Sequence, residues 1–143
     1  MNEPRQTRRS LPMALLRARE SVMEYFRPML GRHDVTEQQW RVIRVVAEAS
    51  TLDATEVAKR ASILAPSLTR IIRSLETRKF IKRRKDASDG RRVILEITPL
   101  GLSFIESAIP ESTTIHQAIE ARFGQEKLNV LLDLLAEVEN FKA

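Results

Sequence analysis

Between Asp53 and Thr98 the chain reads as a short helix, a turn, a second helix, and two basic β-branched strands around an Asp-, Ser- and Gly-containing turn. This succession predicts a mainly α fold: a winged helix-turn-helix with an α/β wing, flanked by N- and C-terminal helices that join two copies. Charge is the second observation. Residues 54–98 hold twelve Lys/Arg against five Asp/Glu, a net +7, within a chain whose total is only +5. Residues 99–143 hold three against seven, a net −4, and residues 1–53 nine against seven, a net +2. The third observation is apolar surface on the terminal helices, at Leu11, Leu15, Ile109, Ile119, Leu128, Leu131 and Leu135, more than a small winged module can cover.

Each element has a local reason. Met1 to Ser10 is polar, carries Arg5, Arg8 and Arg9, and is expected to be a loose arm. A first helix is predicted from Pro12 to Arg32, because proline suits a first helical position and Leu15, Val22, Phe26, Met29 and Leu30 recur near helical spacing. Pro28 predicts a kink near Glu24. Thr36 with Gln39 forms a capping box that opens a second helix through Trp40, Ile43, Val46 and Ala47 to about Ala49. Ser50-Thr51-Leu52 reads as a brief extended link. Asp53 caps a short helix ending near Ala61, Ser62-Ile63-Leu64 turns, and Ala65-Pro66-Ser67 opens the next helix.

That helix has two faces. Leu68, Ile71, Ile72 and Leu75 form an apolar stripe, while Ser67, Thr69, Arg70, Arg73 and Thr77 face outward. Phe80–Lys85 and Arg92–Ile97 are the predicted wing strands. Thr98 caps a long helix with Pro99 in its first turn, expected to bend at Pro110 and to reach about Phe123. After Gly124 a last helix carries Leu128, Leu131, Leu132, Leu135 and Val138 as one stripe. Residues 36–98 are thus the expected reading head, and residues 1–35 with 99–143 the expected dimerisation region.

Composition closes several routes. There is no cysteine, so disulfides, thiolate metal sites and thiol redox switches are excluded. The two histidines, His33 and His116, make a poor metal-ligand set, and no nucleophile stands at suitable spacing from a base. Neither a metal, a cofactor nor an enzymatic activity is expected. No apolar run approaches the length of a membrane span, so a cytoplasmic protein is expected.

A confined basic surface gains free energy by releasing the counterions condensed on duplex DNA. The partner expected from the residues alone is therefore double-stranded DNA. A two-fold homodimer places two recognition helices one DNA turn apart and matches a pseudo-palindrome. Arg70 is the expected base contact, since arginine on guanine is the commonest specific contact. Arg73 is a phosphate candidate, and Arg83 and Lys85 are expected on the DNA backbone. Arg60, Arg78, Lys79 and Lys82 are equally well read as solvated surface. A sequence-indifferent architectural DNA binder is the alternative.

The segment Asp89-Gly90-Arg91-Arg92-Val93-Ile94-Leu95-Glu96-Ile97-Thr98-Pro99-Leu100-Gly101 resembles the MarR family of bacterial transcriptional regulators, with Ile97 where leucine is usual. The helix Ile63–Arg70 followed by Leu75-Glu76 is similar to that family as well, and Ala14–Glu20, Tyr25–Pro28 and Thr36–Arg41 extend the likeness over nearly the whole chain. The resemblance implies that Arg91, at the wing tip, enters the minor groove, where narrow width concentrates negative potential. Asp89 is expected to brace Arg91 through a bidentate pair.

The resemblance further implies repression of aromatic-compound catabolism genes and a small aromatic carboxylate as effector, a different effector being the alternative. A carboxylate site needs an arginine, polar groups and apolar walls. Arg17, Ser21, Tyr25, His33, Trp40 and Arg41 are the candidates. Each has a plainer reading: Trp40 as core, His33 as a helix cap, Arg17 and Arg41 as partners of acids such as Glu20 or Glu37.

Overall fold

The structure is a computed structural model that describes residues 6–142. Residues 1–5 of the predicted arm, Arg5 among them, and residue 143 lie outside the described residues. The order is a 3-10 turn Thr7–Arg9, α1 Leu11–Arg32, α2 Glu37–Ala49, β1 Thr51–Asp53, α3 Ala54–Ala61, α4 Ala65–Thr77, β2 Ile81–Lys85, β3 Val93–Ile97, α5 Pro99–Phe123 and α6 Gln125–Glu139. Two compact units divide between Ile109 and Pro110.

The caps form as their sequence dictates. Gln39 N–H donates to Thr36 Oγ1 at 3.0 Å while Gln39 Oε1 accepts the Thr36 N–H at 2.9 Å, so two orphan amides of α2 are satisfied reciprocally. Asp53 Oδ1 accepts the N–H groups of Thr55 and Glu56 at 2.7 and 3.4 Å and so starts α3. Helix α1 runs through Pro28 and α5 through Pro110, each as one helical segment.

One expectation is corrected here and a second is sharpened. The expected loose arm holds a helical turn at Thr7–Arg9, because Arg17 Nη2 donates to the Arg8 and Thr7 carbonyls at 2.5 and 3.3 Å. The expected link at residues 50–52 contributes a strand: Ser50 turns the chain at φ 66°, and Thr51, Leu52 and Asp53 then pair antiparallel with Glu96, Leu95 and Ile94. The sheet is consequently three-stranded in the order β1-β3-β2, with Ile81 opposite Ile97 and Lys85 opposite Val93.

The first unit's core gathers one face of each element. Val42, Ile43 and Val46 of α2, Val57 of α3, Leu68, Ile71, Ile72 and Leu75 of α4, Phe80, Ile81, Leu95 and Ile105 are buried together. Leu75 and Leu95 are wholly shielded, and truncating either to alanine should cost about 2–5 kcal/mol. At the start of α5, Thr98 Oγ1 lies 2.7 and 3.0 Å from the carbonyls of Lys79 and Phe80 and accepts the Gly101 N–H at 2.9 Å. Gly101 packs so tightly against the Phe80 carbonyl that a Cβ there would overlap it. This seam anchors the root of the wing to α5.

In the second unit, α6 leaves Val130, Leu131, Leu132, Leu134 and Leu135 exposed, and Phe123, Val130, Leu131 and Leu134 line an apolar groove. On α1 of the first unit, Leu11, Leu15 and Leu16 are exposed. No helix among the described residues is long and apolar enough to cross a membrane.

Candidate nucleic-acid interface and effector residues

Helix α4 is fixed by its buried stripe, and that fixes what its other face presents. Thr69, Arg70 and Arg73 are exposed and Ser67 is half-buried. Among the described residues, no ion pair or side-chain hydrogen bond engages the guanidinium of Arg70 or of Arg73. On β2, Arg83 Nε lies 3.4 Å from Glu76 Oε1 of α4, which ties part of the wing's charge to the helix. Lys85 is exposed at the end of the strand.

The wing tip is built by short polar side chains. Asp86 Oδ1 accepts the N–H and the hydroxyl of Ser88, each at 3.1 Å, and the backbone amide holds the Asp86 carboxyl below the usual carboxylate range. Asp89 Oδ1 accepts the Arg91 N–H at 3.0 Å and stands 3.4 Å from Arg91 Nε. The bidentate pair expected there is replaced by this single long contact, because the carboxylate is occupied with the turn. The Arg91 side chain is 93% exposed. What the sequence did not single out is Arg92, whose Nε donates to Asp53 Oδ2 at 2.8 Å and whose Nη1 lies 3.1 Å from Asp86 Oδ2. The hydrogen bond from Arg92 is the largest cause of a lowered Asp53 carboxyl.

Arg78 is built into the structure rather than solvated. Its Nη1 donates to the Asp34 carbonyl at 2.5 Å, and its guanidinium lies 4.7 and 5.6 Å from the ring centres of Phe80 and Phe104. Arg60 forms the expected kind of surface contact, an i,i+4 pair with Glu56 at 3.1 Å.

The effector candidates fall into three groups. His33 and Trp40 meet edge-on at Phe104 of α5, with ring centres 6.1 and 6.4 Å away, and Arg44 lies 5.9 Å over the Trp40 ring. Phe104 and Arg44 were missed by sequence reasoning, although the i,i+4 spacing of Trp40 and Arg44 was a usable signal. Arg17, Ser21 and Tyr25 are exposed on α1 at four-residue intervals, which places them on one helix face. Arg41 is half-buried beside Arg19, and its Nε is buried without a hydrogen-bond partner.

The acids expected to neutralise Arg17 and Arg41 are taken elsewhere. Glu20 pairs with Arg27 at 2.8 Å, and Glu37 pairs with Arg19. Burial, and then the Arg19 charge, pull Arg41 below the ordinary arginine value. His33 is the residue that closes α1, its N–H bonded to the Met29 carbonyl at 3.1 Å.

A helix-turn-helix with a basic hairpin beside its second helix defines a winged-helix transcriptional regulator. Comparison with known proteins is specific. A MarR family profile matches residues 33–92. The homoprotocatechuate degradative operon repressor of Escherichia coli is 41% identical over 128 residues, 90% of this chain and 86% of that protein. The crystal structure of NadR in complex with 4-hydroxyphenylacetate superposes with a TM-score of 0.84 at 40% identity, covering 99% of this chain and 100% of NadR. The repressor CouR, bound to a 23-mer DNA duplex, superposes with a TM-score of 0.83 at 26% identity over 97% of this chain and 100% of that one. This chain belongs to the MarR family.

Proposed function

We propose that the protein is a cytoplasmic, homodimeric repressor, not an enzyme, that holds a pseudo-palindromic operator and leaves it when a phenolic carboxylate binds. One observation carries the DNA half: Arg70, Arg73 and Arg91 project un-neutralised or nearly so from the segment that holds the chain's excess positive charge. In this reading α4 enters the major groove with Ser67, Thr69, Arg70 and Arg73, and Arg91 enters the neighbouring minor groove. Arg83 and Lys85 contact the backbone, and Asp89 shapes the turn that carries Arg91. CouR supports it as a relative of the same fold on a DNA duplex.

The exposed leucines of α1 and α6 are the proposed dimer surface, in residues 1–35 and 99–143. Exposed apolar side chains of that kind, on each unit taken by itself, call for a partner, and a second copy supplies operator spacing. For the effector half, the E. coli repressor's name and the 4-hydroxyphenylacetate bound by NadR point to aromatic acids. Arg41 supports a carboxylate: a half-buried guanidinium with an orphaned Nε, crowded by a second arginine, is stabilised by an anion. Trp40 and His33 supply aromatic walls, and Arg17, Ser21 and Tyr25 the remaining polar candidates.

The mechanism is a shift between two dimer populations whose reading heads are differently spaced, which needs an effector that prefers one of them by several kcal/mol. Titrating a labelled duplex from the region upstream of its own gene with 4-hydroxyphenylacetate and with hydroxycinnamates tests it. Release of the duplex is expected. Retention at saturating acid removes these compounds as inducers and leaves a different effector. Equal affinity for unrelated duplexes points instead to an architectural DNA binder.

A further inference from the structure

Arg91 and Arg92 are neighbours in sequence with opposite employment. The Arg91 side chain is 93% exposed and, among the described residues, pairs with Asp89 alone, whereas Arg92 bridges two carboxylates. One of them, Asp53, belongs to the helix-turn-helix body, since its Oδ1 caps α3 while its Oδ2 takes Arg92. The other, Asp86, belongs to the wing, where its Oδ1 folds the turn onto Ser88. Strand pairing ends at Lys85 and Val93, so the bridge stands just beyond the last paired residues. Backbone bonds complete it: Asp86 N–H donates to the Arg92 carbonyl and Arg92 N–H to the Asp89 carbonyl, both at 3.0 Å. An unbroken polar path therefore runs from the α3 N-terminus to Arg91.

We infer that Arg92 is a positioning residue that aims the wing tip, and Arg91 with it, from the start of α3. The inference rests on the operator-binding reading above. Arginine suits the task because its planar fork reaches two carboxylates at once, which a lysine ammonium does with less geometric control. It also explains why a face meant for phosphates keeps two acids: their charge opposes DNA, but they hold the arginine that sets the wing.

Asp53→Asn and Asp86→Asn give a test by sign. Each removes a negative charge near the proposed duplex, so charge alone predicts tighter binding; asparagine keeps the α3 cap. Positioning predicts the reverse. Affinity for the upstream duplex, read by fluorescence anisotropy, is expected to fall roughly threefold or more in each variant, within reach of a networked ion pair. In an Arg91→Ala background the same changes are expected to cause no further loss. Tighter binding, or equal losses with and without Arg91, overturns the inference. Amide hydrogen exchange at residues 86–92 of the free protein is a second reading: it is expected to quicken in both variants, and unchanged exchange also overturns the inference. If the wild-type protein ignores the duplex, the operator reading fails, and the exchange measurement alone judges the bridge.

Discussion

Arg78 Nη1 donates to the Asp34 carbonyl oxygen at 2.5 Å, joining the residue that ends α4 to the loop between α1 and α2. Asp34 sits at φ 53°, a strained setting for a residue with a side chain, and the guanidinium covers the stacked rings of Phe80 and Phe104. One side chain thus fixes the far end of α4, the loop beside His33 and the root of β2. Arg78→Ala should lower stability by about 1–3 kcal/mol, the cost of a lost charged hydrogen bond with its stacking. Arg78→Lys should recover little of it, because a point ammonium cannot cover both rings. Thermal or urea denaturation of the two variants measures the difference.

Arg91→Ala should weaken binding to the upstream duplex by about 1–3 kcal/mol while leaving the melting temperature unchanged, since the side chain is almost wholly solvated. Anisotropy titration with a parallel thermal melt separates the two effects. An unchanged affinity means that the wing does not reach the groove.

Arg70 and Arg73 should part company. Arg70→Ala should relax discrimination at one base pair of each half-site, by about 1–3 kcal/mol. Arg73→Ala should weaken all duplexes alike and reduce the salt dependence by about one counterion. Competition against single-base operator variants, repeated over a salt series, tells the two roles apart.

Much of this architecture was legible because it is local. The Thr36–Gln39 box, the Asp53 cap and the stripe Leu68, Ile71, Ile72, Leu75 are each complete within one or two turns of chain, and each formed as read. Strand β1 was legible only as an extended link because its three residues carry no periodicity of their own; it is a strand through pairing with Ile94–Glu96, far along the chain. Arg92 was passed over for a similar reason. Its job depends on Asp53, and nothing in the dipeptide Arg91-Arg92 says which side chain turns inward. Arg78 read as surface because its partners, Asp34 and Phe104, lie on other elements. The acids near Arg17 and Arg41 in sequence, Glu20 and Glu37, are claimed by Arg27 and Arg19, a choice that only the helix geometry makes.

Two glycines make a matched pair. Gly101→Ala should destabilise the protein by about 1–3 kcal/mol, because the new methyl meets the Phe80 carbonyl and Ile97 where backbone cannot yield cheaply. Gly31→Ala meets nothing within 4 Å near the end of α1 and should stabilise by up to about 1 kcal/mol through helix propensity. Denaturant midpoints of the two variants should move in opposite directions, and movement in the same direction refutes the packing assigned to Gly101.

A nuclease footprint of the region upstream of the protein's own gene, taken at modest ionic strength with the purified protein, tests operator binding most directly. One protected stretch with two-fold symmetry is expected, two half-sites about one helical turn apart, as paired α4 helices require. Protection spread evenly along the fragment, or none at all, contradicts it.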